Sequence, residues 1–170
     1  LGSPGQAEMV WDLLIGQTDG LPVVFDPVMV ATSGSVLASG ETIAAFRQLM
    51  DLSTLVTPNL PELEALGGIE GVLAHCPAVL VKGGHADGDV IVDRLVTREG
   101  EVARWEDPRI DTRHTHGTGC TLSSAIATLL GRGLRLDEAI GEAREFVRKA
   151  LLAAPGFGAG HGPMGHQAVR

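Results

Sequence analysis

Apolar residues along this chain follow two different periods. Val23-Val24-Phe25, Thr54-Leu55-Val56-Thr57 and Val79-Leu80-Val81 are short continuous runs, rich in β-branched residues, and each is followed within a few positions by a polar turn signal. Continuous runs of this length predict strands buried on both faces of a parallel sheet, where an alternating pattern would predict one wet face. Between them the period changes to that of a helix. Ala7, Val10, Trp11 and Leu14 share one face over residues 5–15, with Ser3-Pro4 as a start signal, and Ile43, Phe46, Leu49 and Met50 share another over residues 40–50. Residues 60–66 predict a short helix stopped by Gly67-Gly68, and Gly16 to Pro22 predicts a turn.

The second half begins differently. Residues 90–96 and 101–105 predict an antiparallel pair joined at Arg98-Glu99-Gly100, and two long helices follow at about 118–131 and 136–152. The stretch from Pro155 to Gly165 is dense in glycine and proline. Strands alternating with helices predict an α/β layered fold, with ligand groups gathered at the carboxyl ends of the strands. Asp26, Asn59 and Lys82 all fall at such ends.

Composition narrows the class. The 170 residues, 44% hydrophobic and 20% charged, suit one globular domain with a real core. No apolar run approaches the ~18 residues that would argue for a membrane span. A net charge of −8 with no basic stripe disfavours a nucleic-acid surface. Two cysteines, Cys76 and Cys120, make no disulfide framework, and without a signal segment at the front the expected location is cytoplasmic. The chain opens at Leu1-Gly2 with no initiator methionine, as a sequence entered midway would.

Candidate chemistry concentrates in His114-Thr115-His116-Gly117-Thr118-Gly119-Cys120-Thr121. The apolar spacing of Leu122, Ala125, Ile126, Leu129 and Leu130 places these glycines at a helix N-terminus, where unpaired N–H groups and the helix dipole favour an anion. A thiol at such a place ionises more readily than a free one. Two other interpretations stay open: a plain tight turn, and a soft-metal site made of His114, His116 and Cys120. At the strand ends, Asp26 and Glu62 have the chemistry for Mg²⁺, which takes a few carboxylates together with water and phosphate. Lys82, followed by two glycines, suits a nucleotide phosphate. Each also has an ordinary explanation: Asp26 as a turn residue before Pro27, Glu62 as a helix-start acid, Lys82 as a solvated side chain.

Together the motifs resemble a family. Asp26-Pro27-Val28-Met29, Thr57-Pro58-Asn59-Leu60-Pro61-Glu62, Leu80-Val81-Lys82-Gly83-Gly84-His85, His116-Gly117-Thr118-Gly119-Cys120-Thr121 and Gly160-His161-Gly162-Pro163 occur in the order found in the hydroxymethylpyrimidine and phosphomethylpyrimidine kinases of thiamine synthesis, members of the ribokinase-like superfamily. The resemblance implies a three-layer ribokinase-like fold with a mostly parallel central sheet, lacking its N-terminal strand–helix units. Residues 1–170 would then form a single partial kinase domain, its C-terminal, ATP-binding part. The implied activity is ATP-dependent phosphorylation of 4-amino-5-hydroxymethyl-2-methylpyrimidine and then of its monophosphate. Cys120 would be the catalytic base; Gly117, Thr118 and Gly119 the anion hole; Asn59 and Glu62 the organisers of Mg²⁺ and phosphate. Asp26 would support the metal, Lys82 would approach the nucleotide phosphates, and Val28 would lie near the pyrimidine.

The same resemblance implies a homodimer for the full-length family, with ATP and a small pyrimidine as partners. Only about twenty residues separate Asn59 from Val79, fewer than the family usually has, so a shortened helix is expected over 67–77. Two alternatives accompany the main expectation: a catalytically silent fragment that keeps an ATP site, and a pyridoxal kinase-like activity.

Overall fold

The computed structural model describes residues 3–17, 20–29, 40–84 and 88–169. They fall into two compact units, residues 1–106 and 107–170. In the first unit α1 (Pro4–Leu14) leads to β1 (Val24–Phe25), α2 (Gly40–Asp51), β2 (Leu55–Val56), α3 (Leu60–Ala65), α4 (Gly68–Leu73), β3 (Ala78–Val81) and β4 (Val90–Thr97). β5 (Gly100–Pro108) completes the sheet and runs across the division between the units. The second unit carries α5 (Thr118–Gly131), α6 (Leu136–Leu152) and a 3-10 turn, η1 (His166–Ala168).

The strands lie in the order β1-β2-β3-β4-β5. β1 and β2 are parallel, with Val24 opposite Leu55 and Phe25 opposite Val56; β2 and β3 are parallel through Val56 and Val79. β4 runs antiparallel to β3. The α/β class and the parallel register of the three expected strands follow the sequence pattern. Burial separates those strands, because β2 and β3 are buried throughout while β1, at the end of the strand order, is half-buried.

The helices on one face of the sheet close the first core. Phe46, Leu49 and Met50 of α2 pack with Val56, Val79, Val81 and Val96 of the strands and with Leu63, Leu66, Val72 and Cys76 from the α3–α4 connection. Phe46 meets Phe25 edge-on at 5.2 Å between ring centroids, which ties α2 to the half-buried β1. The short connection resolves into two helices of six residues. Gly67 and Gly68 both take positive φ, so α3 stops and α4 restarts in a new direction. The expected shortened helix over 67–77 is α4. In the second unit α5 and α6 match their expected bounds and bury Leu122, Ile126, Ala139, Ile140, Ala143 and Ala150.

None of the described helices is long and apolar enough to cross a membrane. His85 and residues 18–19 of the expected first turn lie outside the described residues.

Candidate active-site residues

Parallel register decides what meets at the strand ends. Since Phe25 lies opposite Val56, the next positions, Asp26 and Thr57, leave the sheet side by side, and the Thr57 hydroxyl donates to Asp26 Oδ1 at 3.0 Å. Lys82, directly after β3, bridges Asn59 in parallel sense and places its Nζ 2.7 Å from the same Oδ1. The pair is largely enclosed, with side chains 11% (Asp26) and 14% (Lys82) exposed. Asp26 Oδ2 is buried and accepts no hydrogen bond. One carboxylate oxygen is thus committed to two donors and the other has none.

Asn59 and Glu62 form a reciprocal cap on α3. The Asn59 side chain accepts from the Glu62 N–H at 2.9 Å, and Glu62 Oε2 accepts from the Asn59 N–H at 2.8 Å. Such a box satisfies two N–H groups that a helix start would leave unpaired. It also fixes the Glu62 carboxyl where it is only 5% exposed. Burial pushes the Glu62 carboxyl above the ordinary range, opposed by the Asn59 hydrogen bond and the Lys82 charge; the nearby Asp26 charge pushes it further up. Asp26, Asn59, Glu62 and Lys82 therefore form one cluster, as their strand-end positions predict. Val28 is half-buried two residues past Asp26, its N–H bonded to the Asp26 carbonyl at 2.9 Å.

Two carboxylates and one lysine suit a particular cation chemistry. Mg²⁺ is held by one or two protein carboxylates and completes its shell with water and phosphate. Asp26, through its unpartnered Oδ2, and the enclosed Glu62 are the carboxylates that could hold such an ion. No described group of three or more His, Cys, Asp or Glu residues is arranged to hold a metal ion. The soft-metal alternative for His114, His116 and Cys120 accordingly finds no support in their placement.

In the second unit the glycine turn has the expected form. Gly117 caps α5 at φ +80°, a backbone conformation that favours glycine, and no side chain caps this end. Thr118, Gly119 and Cys120 make the first turn of α5, and the Cys120 side chain is exposed. A helix start without a capping side chain favours an anion.

The sequence singled out Gly160-His161-Gly162-Pro163 but not that the strap holding this motif lies along the glycine turn. Residues 157–166 run beside residues 113–121: Arg113 Nη2 donates to the Gly158 carbonyl at 3.3 Å, His116 bridges Pro163, and Thr121 Oγ1 lies 2.9 Å from His166 Nε2. The His114 ring is wedged against Gly162, where a Cβ would strike its Nδ1. Thr57 was missed as well, although it stands inside a recognised motif. Its role depends on the register between β1 and β2, which no local pattern carries.

The family described as phosphomethylpyrimidine kinase matches residues 1–165. The chain belongs to this family. A hydroxymethylpyrimidine/phosphomethylpyrimidine kinase of Staphylococcus aureus strain MSSA476 is 39% identical over 166 residues, which cover 88% of this chain and 60% of that protein. Among solved structures, an ADP complex of Bacillus subtilis pyridoxal kinase superposes with a TM-score of 0.86 at 31% identity, covering 100% of this chain and 69% of that one. A phosphomethylpyrimidine kinase of Clostridium difficile gives a TM-score of 0.69 at 30% identity, over 88% of this chain and 65% of that one. The fold is that of these kinases, and the chain spans about 60% of the length of the Staphylococcus relative.

Proposed function

We propose that this chain carries the ATP-handling part of a ribokinase-like kinase domain that phosphorylates 4-amino-5-hydroxymethyl-2-methylpyrimidine and then its monophosphate in the cytoplasm, within a homodimer. The observation that carries this function is the Asp26–Lys82–Glu62 cluster, a partly paired set of buried charges with one carboxylate oxygen free. Structural carboxylates that serve only stability are normally satisfied on both oxygens. Its presence in a member of a kinase family gives the free oxygen a purpose.

The chemistry required is mainly positioning and charge neutralisation. Asp26 and Glu62 would hold Mg²⁺, which supplies charge neutralisation at the phosphates when bound. Asn59 keeps the Glu62 carboxyl in place through the reciprocal cap. Lys82 pairs with a phosphate oxygen of the nucleotide, and the Gly117–Gly119 amides receive the transferring phosphate. Cys120 accepts the proton of the substrate hydroxyl as its oxygen bonds to phosphorus and the bond to the departing ADP breaks. Val28 contacts the pyrimidine.

The likeness to a pyridoxal kinase favours one second function, transfer to the hydroxymethyl group of pyridoxal by the same residues. The test is ADP formation from MgATP by the purified chain, with the pyrimidine, with pyridoxal, and with neither. Pyrimidine-dependent ADP release supports the proposal. Nucleotide binding with no acceptor-dependent release would replace it with a silent ATP-binding role.

A further inference from the structure

The β3–β4 ladder stops one rung early. Its pairs run Ala78 with Thr97, Val79 with Val96, Leu80 with Leu95 and Val81 with Arg94. One more rung would set Lys82 opposite Asp93. Lys82 bonds on its other side, as alternation along a central strand requires, its N–H donating to the Pro58 carbonyl at 3.0 Å alongside the bridge to Asn59, so that rung would be closed by the Gly83 N–H on the Val92 carbonyl. The next N–H, that of buried Gly83, is taken by the Asp93 side chain, with Oδ1 at 2.9 Å. Asp93 is itself only 7% exposed. Gly83 lies so near β4 that a Cβ would collide with the Val92 carbonyl, so the strand and the turn are pressed together here.

The physical consequence concerns the path of the chain. A buried carboxylate is costly unless it is hydrogen-bonded, and an N–H donated to a charged acceptor is stronger than a neutral pair. Without the carboxylate, the buried Gly83 amide loses its acceptor. Its nearest relief is to shift toward the backbone of β4, which carries Lys82 with it.

We infer that Asp93 is a positioning residue that holds the Gly83 amide through its side chain in place of the next β4 carbonyl, so that the ladder ends at Val81 and Lys82 stays on Asp26 at the strand ends. The inference rests on the proposed role of Lys82 toward nucleotide phosphate.

The test compares D93A, D93N and K82Q, the last keeping a donor for Asp26 without the charge. Binding of adenosine 5′-(β,γ-imido)triphosphate with magnesium is measured by calorimetry, and exchange of the Gly83 amide by NMR. D93A should speed Gly83 exchange by at least about tenfold and weaken nucleotide binding several-fold, while D93N, which retains an acceptor, stays within about threefold on both. Unchanged Gly83 protection in D93A overturns the inference, as does a D93N variant no better than D93A. If D93A does not fold, D93S, whose side chain is one bond shorter, takes its place. If K82Q binds as tightly as the unsubstituted chain, or that chain does not bind the nucleotide, the assigned role of Lys82 fails, and Gly83 exchange still decides whether Asp93 holds the turn.

Discussion

Single residues differ most in what their surroundings allow them to do. The two cysteines make the contrast directly: Cys76 is buried, its thiol donating to the Ser53 and Ala78 carbonyls, and burial pushes it up to about 11, whereas Cys120 is exposed at the start of α5. Iodoacetamide on the native chain should therefore modify Cys120 and spare Cys76 until denaturant is added, as read by peptide mass. If Cys120 is the base, C120A should lose at least about a hundredfold in turnover with nucleotide affinity unchanged. Near-normal turnover would remove it from that role.

Glu62 supports a second prediction at this scale. Its carboxyl is raised by burial, so the folded chain binds its proton more tightly than the unfolded chain does. That contribution to stability is fully present below the unfolded pKa and is lost as pH rises through the higher folded value. Glu62 thus weakens the fold at neutral pH, relative to acid, in return for a charge in the cluster. E62Q, which can still accept from the Asn59 N–H, should melt higher than the unsubstituted chain at pH 7.5. The advantage should shrink at pH 4, and scanning calorimetry at both values checks it. A lower melting temperature for E62Q at pH 7.5 would mean that the charge is stabilising there.

Elements were legible to different degrees, for local reasons. The bounds of α5 and α6 could be read from apolar spacing because each helix closes its own hydrogen bonds and needs only one buried stripe. β1 was harder: continuous apolar composition predicts two buried faces, and the place of β1 at the end of the strand order leaves it half-buried. The strap over 157–166 had no periodic signal, since its contacts are single hydrogen bonds and glycine approaches. One of these approaches can be tested. Gly165 is buried with its N–H on the Ala150 carbonyl, and a Cβ there would collide with the Ala153 carbonyl at the end of α6. G165A should cost about 1–3 kcal/mol, the usual range for overpacking, measured by urea unfolding. An unchanged midpoint would show that the strap gives way without cost.

For the molecule as a whole, the chain belongs to a kinase family, and the proposed function makes the choice of acceptor a property to measure. The chain spans 60% of its Staphylococcus relative, and its superposition on a pyridoxal kinase is close. The pyrimidine should be preferred over pyridoxal by at least about tenfold in kcat/KM, a margin worth about 1.4 kcal/mol in the transition state. Equal values would make the acceptor pocket indifferent between the two rings. The sequence alone determined the strand and helix succession, the positions of Asp26, Asn59 and Lys82 at strand ends, and the glycine start of α5, because each depends on residues close together in the chain. Only tertiary structure decided that Lys82 and Thr57 share one oxygen of Asp26 and leave the other free, and that Asp93 reaches the Gly83 amide. Those contacts follow from strand register and from where a ladder ends, and both are set by packing between segments distant in sequence.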